Sequence, residues 1–272
     1  MRRQSESSRG CSPEPPPRWQ RPSAFVFLAW LGALALLVSS FAGAEVSAGA
    51  FVSGLPAMGR FLAAAFPPDP SRLDKVLIAL AETFQMAVAG TTIGVVLALP
   101  LAVLAASTLS PSRLAAAASR ALIALFRTIP DLVWALIFVV AVGLGPFAGT
   151  LALAVDGIGF CGRFFAEAME EADPGPQEAL AALGAGRAGI IVSAVLPAAF
   201  PSMIATTLFA LEKATRSSVV LGLVGAGGIG MELKVAMDFF NYAEAATILV
   251  AVFLLVVAVE QGAGRLRAAI LR

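Results

Sequence analysis

The sequence contains no histidine, which removes histidine general bases, Ser-His-Asp triads and most zinc sites. Ordinary hydrolytic chemistry is therefore not expected. Charge is scarce as well: Asp, Glu, Lys and Arg make up 14% of the 272 residues and balance to a net charge of +1. That leaves no global attraction for nucleic acid, and only the local placement of Lys and Arg is informative. Two cysteines, Cys11 in a polar tail and Cys161 in an apolar run, have neither metal-ligand spacing nor a disulfide framework and read as inert. No metal or cofactor site is expected in this chain. What replaces charge is hydrophobic residues, 58% of the total, with a mean hydropathy of +0.86. Such a composition lies far outside that of soluble domains and belongs in a bilayer.

Residues 1–23, rich in Arg, Ser and Pro, cannot bury enough apolar surface to fold alone and read as a disordered tail. AFVFLAWLGALALLVSSFAG, residues 24–43, is uncharged and long enough to cross about 30 Å of hydrocarbon as a helix. A signal peptide is the rival reading, because Ala42, Gly43 and Ala44 would pass as a small-residue cleavage site. Residues 45–74 read as an external loop with an interfacial piece. A second span is expected from Val76 to Ala106, and a third in LIALFRTIPDLVWALIFVVAVG, kinked or started by Pro130. TLALAVDGIGFCGRFF forms the fourth, a fifth begins near Pro197, and YAEAATILVAVFLLVVAVEQ is the last. Six spans put both ends on one side. Lys and Arg are then about two to one in favour of the side carrying the termini, Arg113, Arg120, Arg127, Arg163 and Arg187, which the positive-inside rule makes the cytoplasm.

The segment between spans four and five, residues 173–197, is then cytoplasmic too. Asp173 and Pro174 open a short helix there, with Glu178 expected in its first turn, and Gly184 and Gly186 interrupt it. Its alanines leave little side-chain bulk, so it can lie close against another surface and reads as a docking element. A merely helical linker is the bland alternative.

Gly225-Ala226-Gly227-Gly228-Ile229-Gly230 satisfies G-x-G-x-x-G, with Glu244 downstream at a distance suited to a ribose contact. A dinucleotide site needs a βαβ unit, however, and a membrane-length helix follows instead. The glycines are expected to allow close packing at the end of span five. Ionisable residues at membrane depth are costly unless paired or lining a watery path, which makes Asp131, Asp156, Glu212, Lys213 and Arg216 notable. Asp131 fits equally well as a helix N-terminal charge. Glu212 and Arg216, four residues apart, are expected to form an internal ion pair. Asp131, Asp156, Glu212 and Arg216 are the translocation-pathway candidates.

The spacing of the cytoplasmic segment carries a resemblance. Glu178-Ala179-Leu180, three residues, Gly184, nine residues, Ala194, one residue, Leu196-Pro197 resembles the Glu-Ala-Ala…Gly…Ile-x-Leu-Pro loop of bacterial ABC-importer permeases, with Leu180 and Ala194 as apolar departures. TIPDLVWALIFVVAVGLGPFAG and SSVVLGLVGAGGIGMEL look most like the phosphonate permeases. That group's Glu-x-Asn-x-Arg has Ala214 in place of Asn between Glu212 and Arg216. The resemblance covers residues 75–265. It implies an all-α polytopic fold of the methionine-permease type, with residues 24–272 as one permease domain in the bacterial inner membrane. It also implies coupling to the ATPase through Glu178, Ala179, Gly184, Leu196 and Pro197. The implied partners are membrane lipid, a cytoplasmic ABC ATPase dimer that binds ATP and Mg, an extracytoplasmic solute-binding protein and a second copy of this chain; nucleic acid is not among them. The chain lacks a Walker A sequence, so ATP hydrolysis is assigned to the partner. The solute expected is phosphonate or a related phosphorus oxyanion. A permease for another solute such as methionine, an ion-gradient-driven secondary transporter and a membrane-bound nucleotide enzyme are the alternatives.

Overall fold

The computed structural model describes residues 23–44 and 47–270; the tail read as disordered lies outside these, apart from Ser23. The described residues contain helices and no strand. They fall into two units divided between Gly59 and Arg60.

In the first unit, α1 (Ala24–Gly43) is capped by Ser23, whose hydroxyl accepts from the Val26 N–H at 3.4 Å. None of its residues is buried, as expected of an uncharged helix whose solvent is lipid. Helix α2 (Ala48–Ala65) follows, and the division between the units falls within it. The expected loop over residues 45–74 is thus largely helical. GAFVSGLPAMGRFLAAA is apolar and alanine-rich, and Pro56 is carried inside the helix.

The second unit is built around α3 (Leu73–Ala105) and α6 (Pro146–Glu170). Their contact is made by small residues. A β-carbon on Gly94 would lie 2.9 Å from the Ala154 carbonyl oxygen and 3.0 Å from Gly157 Cα, and one on Gly90 would lie 2.6 Å from Leu153 Cβ. Lipid tails are as apolar as leucine, so helices in a membrane gain little by hiding oily side chains from it; close backbone approach supplies the attraction instead. The buried face of α6 is accordingly mostly Ala and Gly, closed towards its C-terminus by Phe165 and Met169.

Between these two helices lie α4 (Arg113–Thr128) and α5 (Asp131–Val142), which meet at 88°. Pro130 has no N–H to continue the first helix, and it holds Ile129 extended at φ −81°, ψ 121°. The third span is therefore not one kinked helix: Pro130 starts α5, and LIALFRT belongs to a separate amphipathic helix. At 12 residues, α5 reaches about 18 Å, short of a bilayer core by itself.

After α6 come α7 (Pro174–Ala182) and α8 (Arg187–Ile190). A wide π turn over Ile191–Val195 then leads into α9 (Leu196–Gly222). Together α8, the π turn and α9 form one continuous helix, Arg187–Gly222. The helix that carries the fifth span thus begins about three turns earlier than Pro197, and is longer than a bilayer core of about 30 Å needs. Pro197 and Pro201 remove two successive donors on one face, and the widened turn precedes them. Helices α10 (Ile229–Asp238) and α11 (Tyr242–Ile270) complete the unit. Among the described residues five helices are long and apolar enough to cross a membrane, and the bent α4–α5 pair makes a sixth crossing if counted as one span.

Candidate functional site

The segment between α6 and α9 forms an exposed elbow. Asp173 caps α7, its Oδ1 accepting from the Gly175 N–H at 2.9 Å, and Pro174 occupies the first helical position, where no N–H is needed. At the other end Gly184 has φ +82°. Its N–H donates to Ala181 O, and the Ala185 N–H donates to Leu180 O, both at 3.0 Å. This paired arrangement satisfies the last carbonyls of the helix and needs a left-handed residue at its centre. No atom lies within 4 Å of where a Gly184 β-carbon would sit. Glycine is required there by backbone conformation, and the space above it is open.

No residue of α7 is buried. Glu178 and Ala179 are exposed on it, and Leu183 beside the turn is 84% exposed. Glu178 lies in the second turn rather than the first, because α7 starts at Pro174 and the acidic group at its N-terminus is the capping Asp173. Leu196 and Pro197 lie elsewhere, at the start of α9. Leu196 packs against the cluster that holds Val195, Phe165 and Met169, and Pro197 is exposed on the helix. The spaced motif therefore divides into a bare elbow, Glu178 to Gly184, and an anchored helix entrance.

The intramembrane charges pair across helices. Lys213 Nζ on α9 donates to both oxygens of Asp156 on α6, at 2.7 and 2.8 Å, and lies 5.3 Å from the centre of the Phe160 ring. Glu212 does not pair with Arg216. It accepts from Arg267 on α11 at 2.9 Å. Neighbouring residues on a helix point about 100° apart, so Glu212 and Lys213 serve different helices. Among the described residues Arg216 is exposed and has no ion-pair partner. Asp131 is the first residue of α5, and its Oδ1 accepts from the Leu132 N–H at 2.9 Å. Lys213 and Arg267 are the partners that spacing along the chain could not identify, being 57 and 55 residues from Asp156 and Glu212.

The glycine run is a packed connection. Gly225, Gly227 and Gly228 all have positive φ, and a β-carbon on Gly227 would lie 2.6 Å from Pro146 N. The Gly228 and Ile229 N–H groups donate to Glu82 Oε1 at 3.0 Å and Thr83 Oγ1 at 2.7 Å. Side chains of α3 thus take up the donors that a phosphate would use in a dinucleotide site. Glu244, the ribose candidate, instead accepts from Arg72 at 2.6 Å and Asn241 at 2.8 Å.

The chain is 38% identical over 216 residues to the phosphite transport system permease protein PtxC of Stutzerimonas stutzeri, covering 79% of this chain and 78% of that one. It is 39% identical over 202 residues to the phosphate-import permease protein PhnE of Mycolicibacterium smegmatis, covering 74% of this chain and 38% of that longer protein. Its fold is similar to a chain of the MetNI methionine ABC transporter in an inward-facing conformation, with TM-score 0.66 and 26% identity over 74% of this chain and 99% of that one. The family model for binding-protein-dependent transport system inner membrane components matches residues 98–260, from about the last two turns of α3 through most of α11. The chain belongs to that family and is the membrane-spanning permease component of an ABC importer.

Proposed function

We propose that this permease carries a phosphorus oxyanion such as phosphite, phosphonate or phosphate across the bacterial inner membrane. It does so as a homodimer with both termini in the cytoplasm. The observation that carries this reading is the likeness over about four-fifths of both chains to a phosphite permease. An extracytoplasmic binding protein delivers the solute. Two cytoplasmic ATPases, which bind ATP and Mg, dock on the elbow around Glu178, Ala179 and Gly184, where bare helix surface and a rigid glycine turn meet. Leu196 and Pro197 tie that elbow to the long α8–α9 helix, so force entering at α7 reaches the membrane. Arg216, exposed and without a carboxylate partner among the described residues, is a counter-charge for a passing anion.

Uptake tests the reading. In cells lacking their own phosphorus-oxyanion importers, the chain with its ATPase and binding protein should support uptake of at least one of phosphite, phosphonate and phosphate, and a Walker-lysine variant of the ATPase should abolish it. Uptake of methionine with none of these oxyanions would overturn the solute class. Uptake that survives loss of the ATPase would overturn the coupling.

A further inference from the structure

The arginines of α4 do more than face the cytoplasm. Arg113, Arg120 and Arg127 recur every seven residues, close to two helical turns, so they share one flank of α4. The exposed leucines Leu114 and Leu125 lie roughly 100–160° around the helix from them. The arginine flank turns towards α6, where Arg120 and Arg127 meet Arg163, Glu167 and Glu170 around a cavity of about 300 Å³. That is the small end of the range for ligand pockets.

The hydrogen bonds within this cavity leave an excess of donors. Glu170 Oε1 is saturated, accepting from the Ser107 N–H at 2.6 Å, the Ser107 hydroxyl at 2.7 Å and Arg120 Nη2 at 2.7 Å. Arg120 Nε donates to Ala105 O at 2.8 Å, which fixes the fork's orientation. Arg163 binds Glu167 through Nε at 2.6 Å, leaving its two terminal nitrogens. Arg127 has neither a hydrogen-bond nor a carboxylate partner among the described residues. Its stem is nonetheless held in place by close approach to α6, since a β-carbon on Gly159 would lie 2.8 Å from Arg127 Cγ. Three guanidinium groups thus line the cavity with two carboxylates, each of which is engaged through its Oε1, so positive charge is in excess by one.

We infer that this α4–α6 cleft is an anion site for a phosphate-type oxyanion group, held by Arg127 and the outward nitrogens of Arg163 and Arg120. Several planar donors lining one cavity from two helices suit a tetrahedral group with several acceptor oxygens better than a lone carboxylate. The group can come from a free inorganic oxyanion or from the phosphodiester of an anionic lipid. The inference rests on the phosphorus-oxyanion reading only for its choice of probe.

The test uses the full chain with its ATPase in nanodiscs of phosphatidylcholine, titrated with radiolabelled inorganic phosphate. Binding should be saturable, and Arg127→Gln should weaken it about tenfold, the scale of one lost charge-assisted hydrogen bond. Arg127→Lys should weaken it less, and Arg265→Gln, outside the cleft, should leave it unchanged; co-elution with the ATPase checks assembly of each variant. In a second arm, nanodiscs containing phosphatidylglycerol are examined by native mass spectrometry. Retention of that lipid by the unsubstituted chain, lost in Arg127→Gln and accompanied by suppressed phosphate binding, makes lipid the source. Absence of both phosphate binding and lipid retention overturns the site, as does binding that Arg127→Gln leaves unaltered. Phosphite uptake without binding here would sink only this cleft. Binding here without uptake of any phosphorus oxyanion would sink only the transport reading.

Discussion

At the scale of single residues, Gly184 joins a conformational requirement to an open surface, and the two can be separated. With φ +82° and nothing within 4 Å of a new β-carbon, Gly184→Ala meets strain alone, about 1 kcal/mol for a left-handed non-glycine residue. It should retain most ATPase association. Gly184→Trp adds bulk to the face on which the ATPase is proposed to dock. It should insert into the membrane normally, lose ATPase co-purification and abolish uptake, while Glu178→Lys should show a milder form of the same loss. Equal behaviour of the Ala and Trp variants would reduce the elbow to a passive linker. The position of Gly184 was legible because a spaced pattern of small residues survives in one dimension. The charge partners were not: Asp156–Lys213 and Glu212–Arg267 each join residues more than fifty apart, and only the packing of α6, α9 and α11 brings them together.

At the scale of elements, the α3–α6 contact is set by absent side chains. Gly94→Val would drive a branched side chain towards the Ala154 carbonyl, 2.9 Å from the β-carbon position, and α6 can yield only by moving away. Overpacking of this kind costs about 1–3 kcal/mol. Thermal unfolding of the purified chain in detergent should show that loss, whereas Gly32→Ala on α1, which meets nothing within 4 Å, should leave the transition where it was. An unchanged transition for Gly94→Val would mean that the helices are held apart by something else. Hydropathy located α1, α3, α6, α9 and α11 because each is a long apolar run. It left the approach to Pro130 open, since an apolar segment ending at a proline fits either a kinked span or a helix lying across the next one. The 88° bend depends on which neighbours accept Ile123 and Ala116, both buried.

At the scale of the whole molecule, the proposed topology places α2 outside and the α8–α9 entrance inside. Ser53 and Ser193 are exposed and serve as reporters. With Cys11 and Cys161 replaced, single cysteines at the two positions should label from opposite faces of the membrane with an impermeant reagent. Labelling of both from outside would remove the six-span arrangement, and with it the cytoplasmic assignment of the elbow.

The sequence by itself determined the solvent of this protein, its long spans, and the elbow that marks its family. Hydropathy and residue spacing are one-dimensional properties, and they act locally along the chain. Tertiary structure alone decided which charges neutralise one another, where the third span breaks, and that Arg120, Arg127 and Arg163 share one cavity. These depend on close approach between distant helices, and that approach is set by glycines and alanines, the residues with the least side chain to record it in sequence.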